Sequence, residues 1–352
     1  MSADEGVEPD RLPGVPHPRE RTAFFGHREA EQAFLDAYRA GRLHHAWLIG
    51  GPLGVGKATL AYRVARFLLA DDPARPAAAA TLSIAPESAA ARQVAALSHP
   101  NLAVLRRSPA AGKKGASTTI PVEAVRRALA LFGSTAADGG YRVGIVDSAE
   151  DLTSSSANAL LKLIEEPPPR SIFLIVSHAP QRVLPTIRSR CRRLMLKPLS
   201  DGDLRSVIRS LGPPWAEAED SALAKAVDLA EGSVRRTVEM LDPDKAAVVA
   251  ETASLLETLP RPDLKRVLAL AESLSRRDAE DAYDLMLDTV LRWAAADLRA
   301  RASLGPSRLA PLVEVCEKVS RAAREVDVFN LDRRPLVISM FGDLAEAVRR
   351  TT

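Results

Sequence analysis

Ala46-Trp-Leu-Ile-Gly50-Gly51-Pro-Leu-Gly54-Val-Gly56-Lys57-Ala58-Thr59-Leu60 is the stretch that decides the fold. Four apolar residues run into glycines. Beyond Lys57, Leu60, Val64, Phe67 and Leu68 recur at the spacing of one helix face. The pattern predicts a buried strand, a glycine loop and a helix. The backbone N–H groups of such a loop curl around phosphate oxygens, the helix N-terminus adds a favourable dipole, and a lysine at position 57 neutralises the β- and γ-phosphates. Gly51, Gly54, Gly56 and Lys57 are therefore candidate nucleotide-binding residues. The hydroxyl that ligates Mg²⁺ belongs directly after the lysine, and Ala58 stands there. Thr59 counts among the candidates, but its hydroxyl lies about 100° further round the helix and does not simply substitute.

Further short apolar runs at 102–105, 143–146, 172–176 and 193–196 alternate with helical segments. Strands alternating with helices predict a parallel sheet covered on both faces, an α/β domain. Val143-Gly-Ile-Val-Asp147 ends in a carboxylate suited to orienting a metal. An ATPase of this type would carry a glutamate next, to polarise the attacking water. Ser148 stands there, and an ordinary hydroxyl is no general base at neutral pH. Asp147 is either that metal-orienting acid or an ordinary strand-end acid, and Glu150 and Asp151 read as solvated acids. The losses at Ala58 and Ser148 strike the metal and the water separately and point to a degenerate ATPase module.

The 352 residues suffice for two to three domains. Residues 1–21, with Pro9, Pro13, Pro16 and Pro18, read as a flexible tail. Residues 22–196 form the α/β domain, 197–243 a small helical lid opened by Ser200 as N-cap, and 244–352 an all-helical domain. Residues 72–97 are alanine-rich without a clean period, and 108–119, with Lys113-Lys114-Gly115, read as a mobile loop.

Composition excludes several classes. Hydrophobic residues make up 46%, charged residues 26%, and the net charge is +3, the profile of a soluble globular chain. Aromatics at 4% argue against base-stacking platforms for single strands. Cys191 and Cys316 are the only cysteines, too few for a disulfide framework or a four-thiolate zinc site. Apolar runs are too short to span a bilayer and the N-terminus has no signal-peptide pattern, so the expected place is the cytoplasm, with no membrane partner. Beyond Asp147 no paired metal-binding carboxylates support nucleotidyl transfer.

Ala157-Asn-Ala-Leu-Leu-Lys-Leu-Ile-Glu-Glu-Pro-Pro168 and Ile187-Arg-Ser-Arg-Cys191, with Arg42-Leu-His-His-Ala-Trp-Leu48 and Gly232-Ser-Val-Arg235, resemble bacterial clamp-loader AAA+ subunits. The resemblance covers about residues 24–241. It implies a P-loop AAA+ domain, a helical lid and a C-terminal collar for oligomerisation. It also implies that Arg190 reaches the ATP of the next subunit as a finger in trans, that Ser177 lies near the γ-phosphate, and that Arg235 is the lid arginine. The residues themselves leave other readings open: Arg190 as a surface arginine, Arg235 paired with an acid such as Glu231, Ser177 as a strand-end hydroxyl, and Cys191 as a packed thiol. The implied partners are motor and delta subunits, the sliding clamp and, through the assembled hetero-oligomer, primed DNA. The four-cysteine zinc module of many relatives is missing, so zinc is not implied. Magnesium is implied only with a neighbour's ATP, and whether this chain's own loop holds ATP stays open. The rival reading is an active ATPase motor subunit of the same loader.

Overall fold

The computed structural model describes residues 11–12, 14–70, 79–107, 119–133, 140–276, 278–329 and 331–351. Regular structure runs α1 (Arg28–Arg39), β1 (Ala46–Gly50), α2 (Lys57–Leu69), α3 (Ala89–Ala95), β2 (Leu102–Arg106), α4 (Val122–Gly133), β3 (Arg142–Asp147), α5 (Ser154–Glu165), β4 (Ser171–Ser177), α6 (Pro185–Ser189) and β5 (Arg192–Met195). The strands form one parallel sheet in the order β2-β3-β4-β1-β5. Every residue of β1, β3 and β4 is buried, as expected for parallel strands covered on both faces. Alternation along β1 sends Trp47 and Ile49 to the face covered by Leu60, Val64, Phe67 and Leu68 of α2. Leu48 points the other way, into a cluster with Leu160 and Ile164 of α5. Gly144 lets these layers close, because a Cβ there would sit 2.9 Å from the Phe173 ring.

β4 lies between β3 and β1, so the carboxyl ends of the three strands are side by side. With strands about 4.8 Å apart, the glycine loop after β1, Asp147 and Ser177 fall within about 10 Å along one sheet edge. Ligands of open parallel sheets bind beyond such ends.

Two expectations need correction. Residues 1–10 and 13 lie outside the described residues, but Gly14–Arg21 is no free tail. Val15 and His17 are buried, and the strap is pinned through its carbonyls. Arg66 donates to Arg19 O at 2.9 Å and to Arg21 O, and Trp215 Nε1 donates to Gly14 O at 3.1 Å. Prolines bar the segment from helix and sheet, yet side-chain donors on neighbouring elements, the buried Arg66 among them, still hold it. The alanine-rich stretch contains α3, capped by Ser88, whose Oγ accepts from Ala91 N at 3.2 Å. A single 3-10 turn at Pro180–Arg182 precedes α6, with a break between them. Pro185 forces the break by holding Leu184 extended, at ψ 132°. Lys113, Lys114 and Gly115 lie outside the described residues.

Three short helices follow the sheet: α7 (Asp201–Arg209), α8 (Asp220–Leu229) and α9 (Val234–Met240). Ser200 caps α7, accepting from Asp203 N at 3.2 Å. Contacts divide the chain into two compact units, Met1–Val238 and Glu239–Thr352. The second unit contains α10 (Pro243–Glu257), α11 (Leu264–Leu274), α12 (Glu280–Ala300), α13 (Pro306–Phe329) and α14 (Arg334–Thr351). Its own core includes Leu255, Val267, Met286, Val290 and Phe341. α11 buries Val267, Leu270 and Leu274 there but leaves Leu264 68% and Leu268 54% exposed, so only part of its apolar surface is used within the unit.

Candidate nucleotide site

The loop between β1 and α2 turns through left-handed backbone at Gly54 (φ +77°) and Gly56 (φ +97°). At Gly54 the absence of a side chain is also a packing requirement. A Cβ there would meet Ser233 Oγ at 2.3 Å and Arg235 Cβ at 2.8 Å. The first turn of α9 therefore rests directly on the loop: Ser233 Oγ donates to Leu53 O at 3.0 Å and Val234 N to Gly54 O at 2.9 Å.

Lys57 opens α2 with 2% of its surface exposed. Its Nζ donates to Gly51 O at 2.9 Å and to Pro52 O. Burial pushes the ammonium down to about 8, against the attraction of Asp147 and Glu150. A lysine so placed is an anchor for a phosphate.

A cavity of about 250 Å³ opens over this loop. Gly54, Gly56, Lys57, Thr59, Asp147 and Arg235 all line it, so the fold gathers these predicted residues from β1, β3 and the lid. Gly51 serves through its carbonyl, as an acceptor for Lys57. Ser177 is fully buried at the end of β4, and its hydroxyl donates to Glu150 Oε1 at 2.5 Å. Arg190 does not line the cavity. It follows α6 with its side chain 41% exposed, donates to Thr186 O at 3.0 Å and pairs with Glu165 at 2.9 Å. Arg235 lies against Gly54 at the cavity wall.

Glu150, read from the sequence as a solvated acid, belongs to this site. The 3-10 turn Ala149–Asp151 carries it back towards β4, where it accepts from Ser177 Oγ and, at 2.6 Å, from Ala179 N. Burial pushes its carboxyl up, but these hydrogen bonds hold it below the ordinary value. Ser148, in the position of the water-polarising base, donates to Asp151 Oδ2 at 3.3 Å. Three more residues escaped the sequence reading. His27 bonds Val55 O at 2.8 Å, so that ring nitrogen carries the proton, and Arg107 and His178 line the cavity. Only the tertiary fold shows these, since no motif spacing links residues 27, 107 and 178 to the loop. Cys191 is a packed thiol, and burial pushes it up to about 12, despite the charge of Arg193. Among the described residues no three His, Cys, Asp or Glu side chains cluster as a metal site, and no helix is long and apolar enough to cross a membrane.

The donor set fits phosphates and does not fit a catalytic metal. Lys57, Arg107 and Arg235 supply positive charge, whereas Ala58 supplies no oxygen where a magnesium ligand belongs. The site can hold an anion, and Ala58 and Ser148 stand where a magnesium-ligating hydroxyl and a water-polarising glutamate would be.

Comparison with known proteins agrees with this architecture. The family described as DNA polymerase III, delta subunit, matches residues 26–200. DNA polymerase III subunit delta' of Yersinia pestis is 32% identical over 265 residues, 73% of this chain and 72% of that protein. The subunit delta' of Pseudomonas aeruginosa is 38% identical over 181 residues, covering 51% of this chain and 52% of its own length. The subunit gamma/tau of Mycobacterium bovis is 33% identical over 211 residues, which span 58% of this chain and 34% of that protein. Joined to a parallel α/β core whose phosphate loop has lost its metal ligand, these likenesses mean that the chain belongs to the delta' subunit family of DNA polymerase III.

Proposed function

We propose that this chain is the non-hydrolysing AAA+ subunit of the DNA polymerase III clamp loader and acts in the cytoplasm. In this reading residues 22–196 are the AAA+ domain, 197–243 the lid and 244–352 the collar through which motor and delta subunits assemble. The complex loads the sliding clamp onto primed DNA. The observation that carries the reading is the state of the water-activating position. Ser148 has replaced the glutamate, and the nearby acid Glu150 is engaged by Ser177 and the Ala179 amide. A hydroxyl cannot accept the water's proton at neutral pH.

Arg190 supplies the chain's contribution to chemistry. It lies beyond the end of α6, where its guanidinium reaches solvent and donates to Glu165. A permanently charged planar fork suits the charge that develops on a transferring γ-phosphoryl group of a neighbour's ATP. Docking would exchange the exposed Glu165 pair, worth at most about 1 kcal/mol, for phosphate contacts. Arg190→Ala should leave folding and assembly intact and reduce DNA- and clamp-stimulated ATPase and clamp loading by the reconstituted complex. Fingers in trans are worth about 10³–10⁵ in rate at a single site, and in a ring with several sites the total falls less. Arg190→Lys should restore little. Wild-type rates in an assembled Arg190→Ala complex would remove the finger. The rival motor-subunit reading requires the isolated chain to turn over ATP at an enzymatic rate of about 1 s⁻¹.

A further inference from the structure

The last turn of α5 runs Lys162-Leu-Ile-Glu165, with Glu166 as its C-cap. A carboxylate at a helix C-terminus faces the negative end of the macrodipole and is disfavoured there unless a cation offsets it. For Glu165 that cation is Arg190, whose Nη2 lies 2.9 Å from Glu165 Oε1. Arg190 Nη1 donates to Thr186 O at 3.0 Å, a carbonyl that Ser189 Oγ also uses at 3.1 Å. The guanidinium is therefore held at both ends of its fork by its own subunit.

The backbone fixes this contact. Ile187 of α6 and Leu160, Leu163 and Ile164 of α5 are buried in one apolar cluster, so the two helix ends keep their spacing. The charged side chains of Arg190 and Glu165 stay outside it, 41% and 46% exposed, where an incoming anion can reach them. An exposed ion pair of this kind is weak and shifts a competing equilibrium by at most about fivefold. A phosphoryl group presents three acceptor oxygens and more than one negative charge, and a guanidinium can fork onto two of those oxygens. A carboxylate placed like that of Glu165 holds the arginine in the absence of such a group and yields to it.

We propose that Glu165 parks the Arg190 finger, an autoinhibitory contact that keeps the guanidinium on its own subunit until a neighbour's triphosphate displaces the carboxylate. The contact sets a threshold for engagement and restrains hydrolysis in the complex before it meets DNA and clamp. The proposal rests on the reading of Arg190 as a finger in trans and adds a regulating residue that acts through it.

The test is steady-state ATPase of the reconstituted complex carrying Glu165→Gln, with and without DNA and clamp. Glutamine keeps the shape of the side chain and removes its charge. The unstimulated rate should rise about two- to fivefold, whereas the stimulated rate, in which the finger is already engaged, should change by less than about twofold. Glu165→Lys, which repels the guanidinium and suits a helix C-terminus, should raise the unstimulated rate at least as far. In an Arg190→Ala background neither substitution should raise it, since no finger remains to be released, whereas a mere loosening of α5 would act there too. Parking is overturned by an unstimulated rate that Glu165→Gln leaves at the wild-type level, by a stimulated rate that falls towards that of Arg190→Ala, or by a rise that survives in the Arg190→Ala background. Each of these leaves the finger standing as long as Arg190→Ala alone slows the stimulated complex, and wild-type rates with Arg190→Ala would remove both.

Discussion

Lys57 should make the stability of the α/β unit depend on alkaline pH in a way that one substitution removes. The ordinary lysine value is 10.5, and burial lowers Lys57 to about 8. That gap corresponds to about 3 kcal/mol held against the folded state while the ammonium is charged. Below pH 8 both states carry the proton and the full penalty applies. Between pH 8 and 10.5 the folded chain has released a proton that the unfolded chain still binds, so stability rises with pH across that window. Lys57→Met has no such group and should lack the climb. Cys191, raised to about 12, works in the opposite sense above its ordinary value of 9.0, but it is present in both proteins and cancels in their difference. The assay is urea unfolding from pH 7.5 to about 10.5, read from Trp47, which is fully buried in β1, with Trp215 and Trp293 replaced by phenylalanine. The wild-type advantage should grow by about 3 kcal/mol across the series. Parallel curves would mean that Lys57 is not desolvated, and the account of the cavity would lose its anchor.

Gly54→Ala would place a Cβ 2.3 Å from Ser233 Oγ at φ +77°. It should cost about 1–2 kcal/mol from the left-handed backbone alone and accelerate hydrogen exchange at the Val234 amide, which donates to Gly54 O. Unchanged exchange there would separate the lid from the loop. Arg66→Leu removes the donors to Arg19 O and Arg21 O, leaving part-buried carbonyls unpaired at a cost of about 2 kcal/mol. Trypsin should then cut after Arg19 or Arg21 faster than in the wild type. Equal cutting rates would show that other contacts hold the strap.

The sheet was legible because parallel strands buried on both faces must be apolar throughout. Their runs at 46–49, 102–105, 143–146 and 172–176 differ from the observed strands by one or two residues. The capping by Ser200 was equally local, since a cap acts within a few residues. The losses at Ala58 and Ser148 are also statements about single positions, and no tertiary information was needed to make them.

Other features were decided only when the chain folded. Glu150 and Asp151 are alike in sequence, but the 3-10 turn delivers Glu150 to Ser177 and leaves Asp151 with Ser148 and Arg107. The proline-bearing strap has no periodicity, because the donors that hold it, Arg66 and Trp215, come from distant parts of the chain. α11 has an apolar pattern that wraps further round the helix than one core can use, and only packing separated the buried Val267 from the exposed Leu264. The sequence by itself thus determined the α/β core, the phosphate loop and its missing metal ligand, because these depend on residue type and near-neighbour spacing. Which charges converge over the loop, which acid is engaged and which apolar face stays open depend on contacts between residues far apart in the chain, and those only the tertiary structure decided.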